Sequence, residues 1–237
     1  EYVVLSAEFP AAEPTAPILV LDGLAPEEGG QFHRVSTSVF RAGYLPAADA
    51  REVTFSVIHE RLAPFTTHMF VIDSRPRRIE EQGVVIDVPP DSAYGTLFAS
   101  VQEAGLPFAA PLPVRGRLYR IWPDSSPLKR PVRIRFPQPT DCEDVTKVHV
   151  YRAADGFWRW YPTTLVEDGL AASSDDFGVF ALMEDAVAPR IVGILPTDGQ
   201  QILSRRPAIK ADISDQGSGI KEITVTCGQQ WLLMEYD

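Results

Sequence analysis

The histidines of this sequence are the first residues to test for metal chemistry. His59 and Glu60 begin like the helical zinc-protease motif, in which a second histidine follows four residues after the first. That position is Ala63, and Pro64 would interrupt a helix there. The remaining histidines have no cysteine or second histidine close by in the sequence: His33, His68 and His149. We therefore predict no zinc site, and no nucleophile elbow or phosphate-binding loop occurs either.

Two acidic clusters are the candidates for calcium, which prefers carboxylate and carbonyl oxygens. One cluster is Asp141, Glu143 and Asp144, and the other is Asp212 with Asp215. Neither has the ligand spacing of an EF-hand. The alternative for residues 215–219 is a turn in which the aspartate bonds its own backbone and the glycines supply positive φ. The turn is favoured, so calcium is the only cofactor that the sequence suggests and no cofactor is the main expectation.

An aromatic run at residues 157–161 is a candidate binding surface. It follows an Asp155-Gly156 turn, and alternation places Trp158 and Trp160 on one face of a strand. We predict that these two tryptophans fill a sandwich core, because each buries a large apolar area. Arg159 and Tyr161 would then face solvent and are the candidates for stacking on a carbohydrate or peptide.

Three arginines form a local basic stretch in an otherwise acidic chain: Arg75, Arg77 and Arg78. Such a cluster is suited to anionic glycans or to the carboxylates of a neighbouring domain. The alternative is a solvated linker whose charges discourage edge-strand pairing.

The elements that must position these residues are short strands. The chain has 21 Pro and 16 Gly, and between them lie runs of five to eight residues rich in β-branched and aromatic types. The predicted strands are 2–9, 18–21, 32–40, 52–59, 68–72, 84–88, 118–121, 132–136, 147–151, 157–161, 170–173 and 178–182. The best helical candidate, at 95–104, is short. This pattern predicts an all-β protein of tandem antiparallel β-sandwiches of the immunoglobulin-like kind.

Composition shifts divide the chain into three predicted domains. Polar, turn-rich residues near 80 suggest a linker, and residues 184–189 suggest a second junction. The predicted domains are an N-terminal sandwich at 1–80, a central sandwich at 83–185 and a C-terminal immunoglobulin-like module at 189–237. The last holds three or four strands where a sandwich needs about seven, so we expect it to be incomplete. With no initial methionine or signal peptide, we expect an excerpt of a larger protein.

The middle of the chain resembles a known domain. Residues 84–90, 119–123, 128–136, 148–152, 158–161 and 177–182 follow in an order that resembles the β-sandwich shared by ankyrins and netrin receptors, the ZU domain, and its bacterial surface relatives. The segment from Asp215 to Asp237 resembles a bacterial immunoglobulin-like module. The resemblance implies the accessory regions of secreted multidomain proteins, including some cell-wall zinc metallopeptidases.

The same resemblance raises the question of self-cleavage. Some members of the ankyrin and netrin-receptor group cleave themselves at a His-Phe-Ser motif, where the serine hydroxyl attacks the preceding carbonyl. The matching positions here are Asp176, Phe177 and Gly178. Glycine supplies no nucleophile and aspartate replaces the imidazole, so we predict that this processing position is lost.

Charge and composition limit the function. The formal net charge of −10 over 237 residues argues against a nucleic-acid binder, and no apolar run is long enough for a membrane span. Cys142 and Cys227 fall in different predicted domains, so we expect no disulfide. The structural roles that we predict are core positions for Ile134, Trp158, Trp160 and Phe180.

We expect a non-catalytic run of modules that serves as spacer, assembly or adhesion element of a bacterial surface protein outside the cytoplasm. Its partners would be other domains, other surface proteins or cell-wall glycan. One alternative is an accessory region that positions a cell-wall zinc peptidase encoded elsewhere. The other alternative is a glycan-binding module.

Overall fold

The chain folds into antiparallel β-sheets. The structure is a computed structural model that describes residues 3–9, 15–21, 31–44, 50–204, 207–215 and 217–235. Within these residues the only helical element is a 3-10 turn at Val145–Lys147. The strands, in chain order, are β1 (Val3–Glu8), β2 (Ile18–Leu21), β3 (His33–Arg34), β4 (Val39–Tyr44), β5 (Glu52–His59), β6 (Leu62–Ile72), β7 (Arg77–Glu81), β8 (Val84–Val88), β9 (Leu97–Ala104), β10 (Val114–Trp122), β11 (Pro127–Pro137), β12 (Val148–Ala154), β13 (Phe157–Tyr161), β14 (Thr163–Val166), β15 (Gly169–Asp176), β16 (Gly178–Glu184), β17 (Arg190–Leu195), β18 (Lys210–Ser214), β19 (Val225–Cys227) and β20 (Gln230–Leu232). The described residues contain no helix that is long and apolar enough to cross a membrane.

The described residues up to 185 form three sheets. An eight-stranded sheet has the order β13-β12-β16-β10-β9-β6-β5-β2. A three-stranded sheet, β1-β4-β3, covers one end of it and encloses a first core that contains Leu19, Phe40 and Phe55. A five-stranded sheet, β14-β15-β11-β8-β7, encloses a larger second core with Ile134 and Phe180, which are each almost fully buried. We call these two packing units the first sandwich and the central sandwich.

The two sandwiches share strands β6 and β9. On β6, Met69 and Val71 point into the first core, whereas Phe70 and Ile72 point into the second. Successive side chains of a strand point to opposite faces, so a strand covered on both faces is apolar without alternation. The five-stranded and three-stranded sheets therefore lie on opposite faces of the large sheet where it contains β6 and β9.

This sharing explains why the helical candidate at 95–104 is wrong. Residues 97–104 form β9, in which Phe98, Ala99, Ser100 and Val101 are all buried. A run buried on both faces has no period of two, so periodicity alone does not separate it from a helix.

The linker predicted near residue 80 is also wrong as local structure. Residues 77–81 form β7, which pairs with β8 through a turn at Gln82 and Gly83, with φ of 55° and 81°. Both positive φ values are typical of a tight type I′ hairpin. Phe70 pairs with Ala99 across the predicted 80–83 boundary, so residues on both sides of that boundary contribute to one sheet.

Residues 190–235 are organised differently. The described residues of this range form two separate two-stranded sheets, β17 with β18 and β19 with β20. In the described part of the chain, none of these four strands pairs with a strand of the two sandwiches. Many of their apolar side chains are exposed, including Ile191, Val192 and Trp231. We call residues 190–235 the C-terminal segment.

Candidate functional site

The predicted processing position is the place where the chain passes from one sheet of the central sandwich to the other. β15 ends at Asp176 in the five-stranded sheet, and β16 begins at Gly178 in the eight-stranded sheet. Phe177 between them is fully buried in the second core. Gly178 has φ of 147°, and a Cβ there would lie 3.4 Å from Nη1 of Arg152. The positive φ therefore favours glycine at this position, whereas a Cβ would make only an ordinary contact with Arg152.

Arg152 from β12 holds this crossover together. Its side chain is only 5% exposed, and its Nη1 lies 3.1 Å from Oδ2 of Asp176. The same Nη1 donates to the carbonyl oxygen of Phe177 at 3.1 Å, and Nε donates to the hydroxyl of Tyr161 at 3.2 Å. A buried guanidinium must be paired and hydrogen-bonded to avoid a large desolvation cost. We call Arg152, Asp176, Phe177 and Tyr161 the crossover cluster.

Burial controls the charge of the acid in this cluster. Loss of solvent raises the pKa of the Asp176 carboxyl, and the nearby positive charge of Arg152 offsets only part of that effect. Oδ1 of Asp176 is buried and has no hydrogen-bond partner within the described residues. The carboxyl is thus held in a partly desolvated ion pair with Arg152. Removal of Arg152 would leave this buried carboxyl unpaired and would destabilise the folded protein.

The Phe177 carbonyl has the donors of an oxyanion site but no nucleophile beside it. Besides Arg152, the backbone N–H of Ser125 donates to this oxygen at 3.2 Å. The next residue, Gly178, has no side chain, and the hydroxyl of Ser174 donates to the Asp176 carbonyl instead. The arrangement stabilises a carbonyl in its ground state and, among the described residues, places no hydroxyl of the following residue for attack.

Sequence reasoning missed Arg152, although β12 contains a signal for it. Val148 and Val150 point into the second core, and Arg152 occupies the next position on that same face. A charged residue at an inward position of a central strand indicates a buried ion pair or a functional group.

The predicted faces of β13 are inverted. Tyr161 is 7% exposed and lies in the second core near Phe180, whereas Trp160 is 38% exposed. The pairing with β12 decides the orientation, because Tyr161 lies directly opposite the buried Val150 and shares its face. Tyr161 is therefore not the exposed binding residue that we expected, and Trp160 does not lie in the core.

Trp158 is half-buried on the outer face of the eight-stranded sheet, which also corrects its predicted core position. It packs against a small cluster that contains Leu112 and Tyr151. Its Nε1 donates to the carbonyl oxygen of Ala109 at 3.2 Å, and its ring lies 5.3 Å from that of Phe108. Arg159 is exposed as predicted, although alternation places it on the same face of β13 as the buried Tyr161.

The three predicted basic residues do not form one patch. Arg75 is bound to Asp73 through Nε at 2.7 Å. The Arg77 side chain is 10% exposed and its guanidinium carbon lies 5.5 Å from the centre of the Phe70 ring. Arg78 faces solvent but pairs with Glu80 at 2.8 Å. The strand alternation of β7 sends the Arg77 side chain inward and the Arg78 side chain outward. Both residues line one open depression on the surface, but Arg75 does not.

The calcium candidates serve local backbone structure. Asp144 accepts from the Thr146 N–H at the start of the 3-10 turn, and Asp141 accepts from the Gly116 N–H. Asp215 accepts from the N–H groups of Gly217 and Gly219 at 2.9 and 2.8 Å. Glu143 and Asp212 are exposed. In the part of the chain that the structure describes, no three His, Cys, Asp or Glu side chains are grouped to hold a metal ion.

The outer face of the five-stranded sheet carries two shallow depressions that meet at Arg133. One, of about 490 Å³, is lined in part by Pro76, Arg78 and Asp87. The other, of about 380 Å³, lies over Ala171 and Ser173. Both are open to solvent. The first gathers three arginines, Arg77, Arg78 and Arg133, around Asp87, and the second is lined by Arg133 and uncharged residues.

Comparison of the chain with protein-family models and with curated proteins gives no match. The resemblance to the ankyrin and netrin-receptor sandwich therefore rests on the residues alone.

Proposed function

We propose that this chain is a non-catalytic structural part of a bacterial surface protein, with tandem sandwiches of the ZU and immunoglobulin-like kinds outside the cytoplasm. It acts as a spacer or assembly element that holds other domains or surface proteins at a defined separation. The observation that supports this proposal is the pair of strands, β6 and β9, that belongs to both sandwiches.

Shared strands make a stiff connection. Bending between the first and central sandwiches would break backbone hydrogen bonds in the ladder between β6 and β9. It would also expose apolar side chains such as Val71 and Ile72, at about 25 cal/mol for each Å² of apolar surface. Sandwiches joined by a flexible linker would have neither cost. A stiff connection is what a spacer requires.

The crossover cluster adds to the proposal. Its Phe177 carbonyl is held by two donors, and the residue that follows is Gly178. We infer that the chain remains intact at this position, which keeps the two sheets of the central sandwich covalently connected. Mass spectrometry of the purified protein before and after incubation tests this inference, and a cut next to Phe177 would contradict it.

Equilibrium unfolding tests the shared-strand proposal directly. All four tryptophans lie at or beyond residue 122, so in a Trp231→Phe background fluorescence reports on the central sandwich alone. Val53 of β5 faces the first core and lies on a strand that the central sandwich does not share. If the two sandwiches unfold as one unit, Val53→Ala lowers the fluorescence-monitored free energy of unfolding, on the order of 2 kcal/mol.

Two comparisons make that result specific. Val35→Ala changes an exposed valine in the same region and should leave the midpoint unchanged. Val71→Ala, on the shared strand β6, should lower the fluorescence midpoint as Val53→Ala does. An unchanged fluorescence midpoint in Val53→Ala, with a separate earlier transition by circular dichroism, would show that the sandwiches unfold independently and would refute the spacer proposal.

A further inference from the structure

The joint, by which we mean the connection between the central sandwich and the C-terminal segment, is held by hydrogen bonds to the Asp185 carboxylate. β16 ends at Glu184, and the next residue, Asp185, donates its N–H to the carbonyl oxygen of Lys147 at 2.8 Å. Asp185 is thereby fixed to the sandwich through its backbone. Its side chain is directed toward a loop of the C-terminal segment that lies 33 residues further along the chain.

The Asp185 side chain accepts hydrogen bonds from the C-terminal segment and from the connection that leads to it. Oδ2 accepts from the N–H and the hydroxyl of Ser218 at 2.6 and 2.7 Å. Oδ1 accepts from the N–H of Val187 at 3.2 Å, within the connection itself. Hydrogen bonds to an ionised acceptor are among the stronger ones in proteins. We call the contact between Asp185 and Ser218 the latch.

The loop that meets Asp185 is shaped in advance for this contact. Asp215 bonds the N–H groups of Gly217 and Gly219, which leaves the Ser218 N–H directed away from Asp215. A Cβ at Gly217 would lie 2.1 Å from Oδ2 of Asp185. The absence of a side chain at Gly217 therefore allows the carboxylate to approach the loop.

The electrostatics of the joint agree with this geometry. Burial alone would raise the pKa of the Asp185 carboxyl, but the bonds from Ser218 and Val187 outweigh it and lower the pKa below its ordinary value. Beneath the joint, burial and the charges of Asp185 and Asp215 raise the pKa of Tyr151. The carboxylates of Asp185 and of Asp215, which shapes the loop around Ser218, therefore lie near the same buried ring.

We propose that the latch fixes the direction in which the C-terminal segment leaves the central sandwich. Without the latch, the segment would rotate about the connection at residues 185–189. No strand pairing joins the segment to the sandwiches within the described residues, so its orientation depends on contacts such as this one. The inference rests on the proposed spacer function, because a fixed direction matters only if the chain sets the position of other domains.

Distances between spin labels test the latch in the full chain. One label is placed on Cys227, which is exposed in β19, and the other on an exposed position of the central sandwich, as Gln138→Cys in a Cys142→Ser background. We expect a narrow distance distribution for this parent protein. Asp185→Ala should broaden it at least twofold, because the carboxylate that accepts both Ser218 bonds is removed.

Two further variants keep the result specific. Gly217→Ala should broaden the distribution as well, since the added Cβ displaces the Asp185 carboxylate. Asp198→Ala removes an exposed carboxylate from the same segment and should leave the distribution narrow. A narrow distribution in both Asp185→Ala and Gly217→Ala, or a broad one in the parent, would overturn the latch. The label distances report on the latch and the unfolding midpoints report on the shared strands, so a failure of one proposal can be told from a failure of the other.

Discussion

The central sandwich and the C-terminal segment use similar strand-forming sequences with opposite results. Ile134 in β11 is 1% exposed, whereas Ile191 in β17 is 63% exposed. The central sandwich has two sheets whose apolar faces cover each other, whereas within the described residues β17 and β18 pair only with each other. The difference shows that a strand's apolar residues stabilise the fold only where another layer removes them from water.

The largest expected difference concerns aromatic side chains. Phe180→Ala should lower the free energy of unfolding by about 3–5 kcal/mol, because the ring is buried in the second core against Phe136 and Tyr161. Trp231→Ala should change it by no more than about 0.5 kcal/mol, because its side chain is 64% exposed. Urea unfolding followed by circular dichroism measures both. A large effect of Trp231→Ala would mean that β20 has a covering layer after all.

The second expected difference concerns two arginines that lie opposite each other on paired strands. Arg152→Met should cost about 3 kcal/mol, because it leaves Asp176 as an unpaired and partly buried carboxyl. Arg159→Met, at its exposed cross-strand neighbour, serves as the comparison and should cost far less, because Arg159 is exposed and its charge acts on Asp176 more weakly than that of Arg152. Denaturant midpoints of the two variants provide the measurement. Equal effects would contradict the crossover cluster.

A smaller effect is expected from one hydroxyl. Tyr161→Phe removes the acceptor of the Arg152 Nε hydrogen bond and should cost about 1 kcal/mol, with the ring still in place. Tyr94→Phe removes an exposed hydroxyl and should have no measurable effect. Thermal unfolding of the two variants in parallel separates these outcomes, and a neutral Tyr161→Phe would place that hydroxyl in contact with water.

The smallest expected difference is in the response to acid. The pKa of Asp185 is lowered in the folded protein, so its contribution to stability is present above the ordinary value of 3.8 and is lost as pH falls through the lowered value. The pKa of Asp176 is raised, so the folded state binds a proton first and acidification toward 3.8 favours folding at that site.

Two amide substitutions separate these opposite dependences. Stability is measured between about pH 6 and pH 3, the range around the ordinary carboxyl pKa. Asp185→Asn should remove part of the loss of stability at low pH, and Asp176→Asn should make that loss steeper. The opposite pair of results would contradict the hydrogen bonding assigned to the two carboxyls.

Local turns and strand patterns could be predicted from the sequence because they depend on neighbouring residues. The Asp155-Gly156 turn has φ of 51° and 85°, as its residue types require for a tight hairpin. The alternation in β11 likewise places Ile134 inward and Arg133 outward. The all-β antiparallel class follows from such patterns along the whole chain.

Long-range pairing could not be predicted from the same patterns. The orientation of β13 depends on its register with β12, and a shift of one residue exchanges Trp160 with Tyr161. The sharing of β6 and β9 depends on which sheets cover them, and that information is distributed over three separate parts of the chain. The crossover cluster combines residues from β12, β13 and β15, so only the inward position of Arg152 signals it in the sequence.

Hydrogen exchange, followed by mass spectrometry on peptides, tests the central claim most directly. If β6 and β9 belong to both sandwiches, their amides should exchange only with global unfolding, as slowly as those of β11 and β16. Amides of β17 and β18 should exchange much faster, because in the described part of the chain each has one partner strand and no covering sheet. Fast exchange in β6 and β9 with slow exchange in β11 would show that the sandwiches do not share these strands, and would contradict the account.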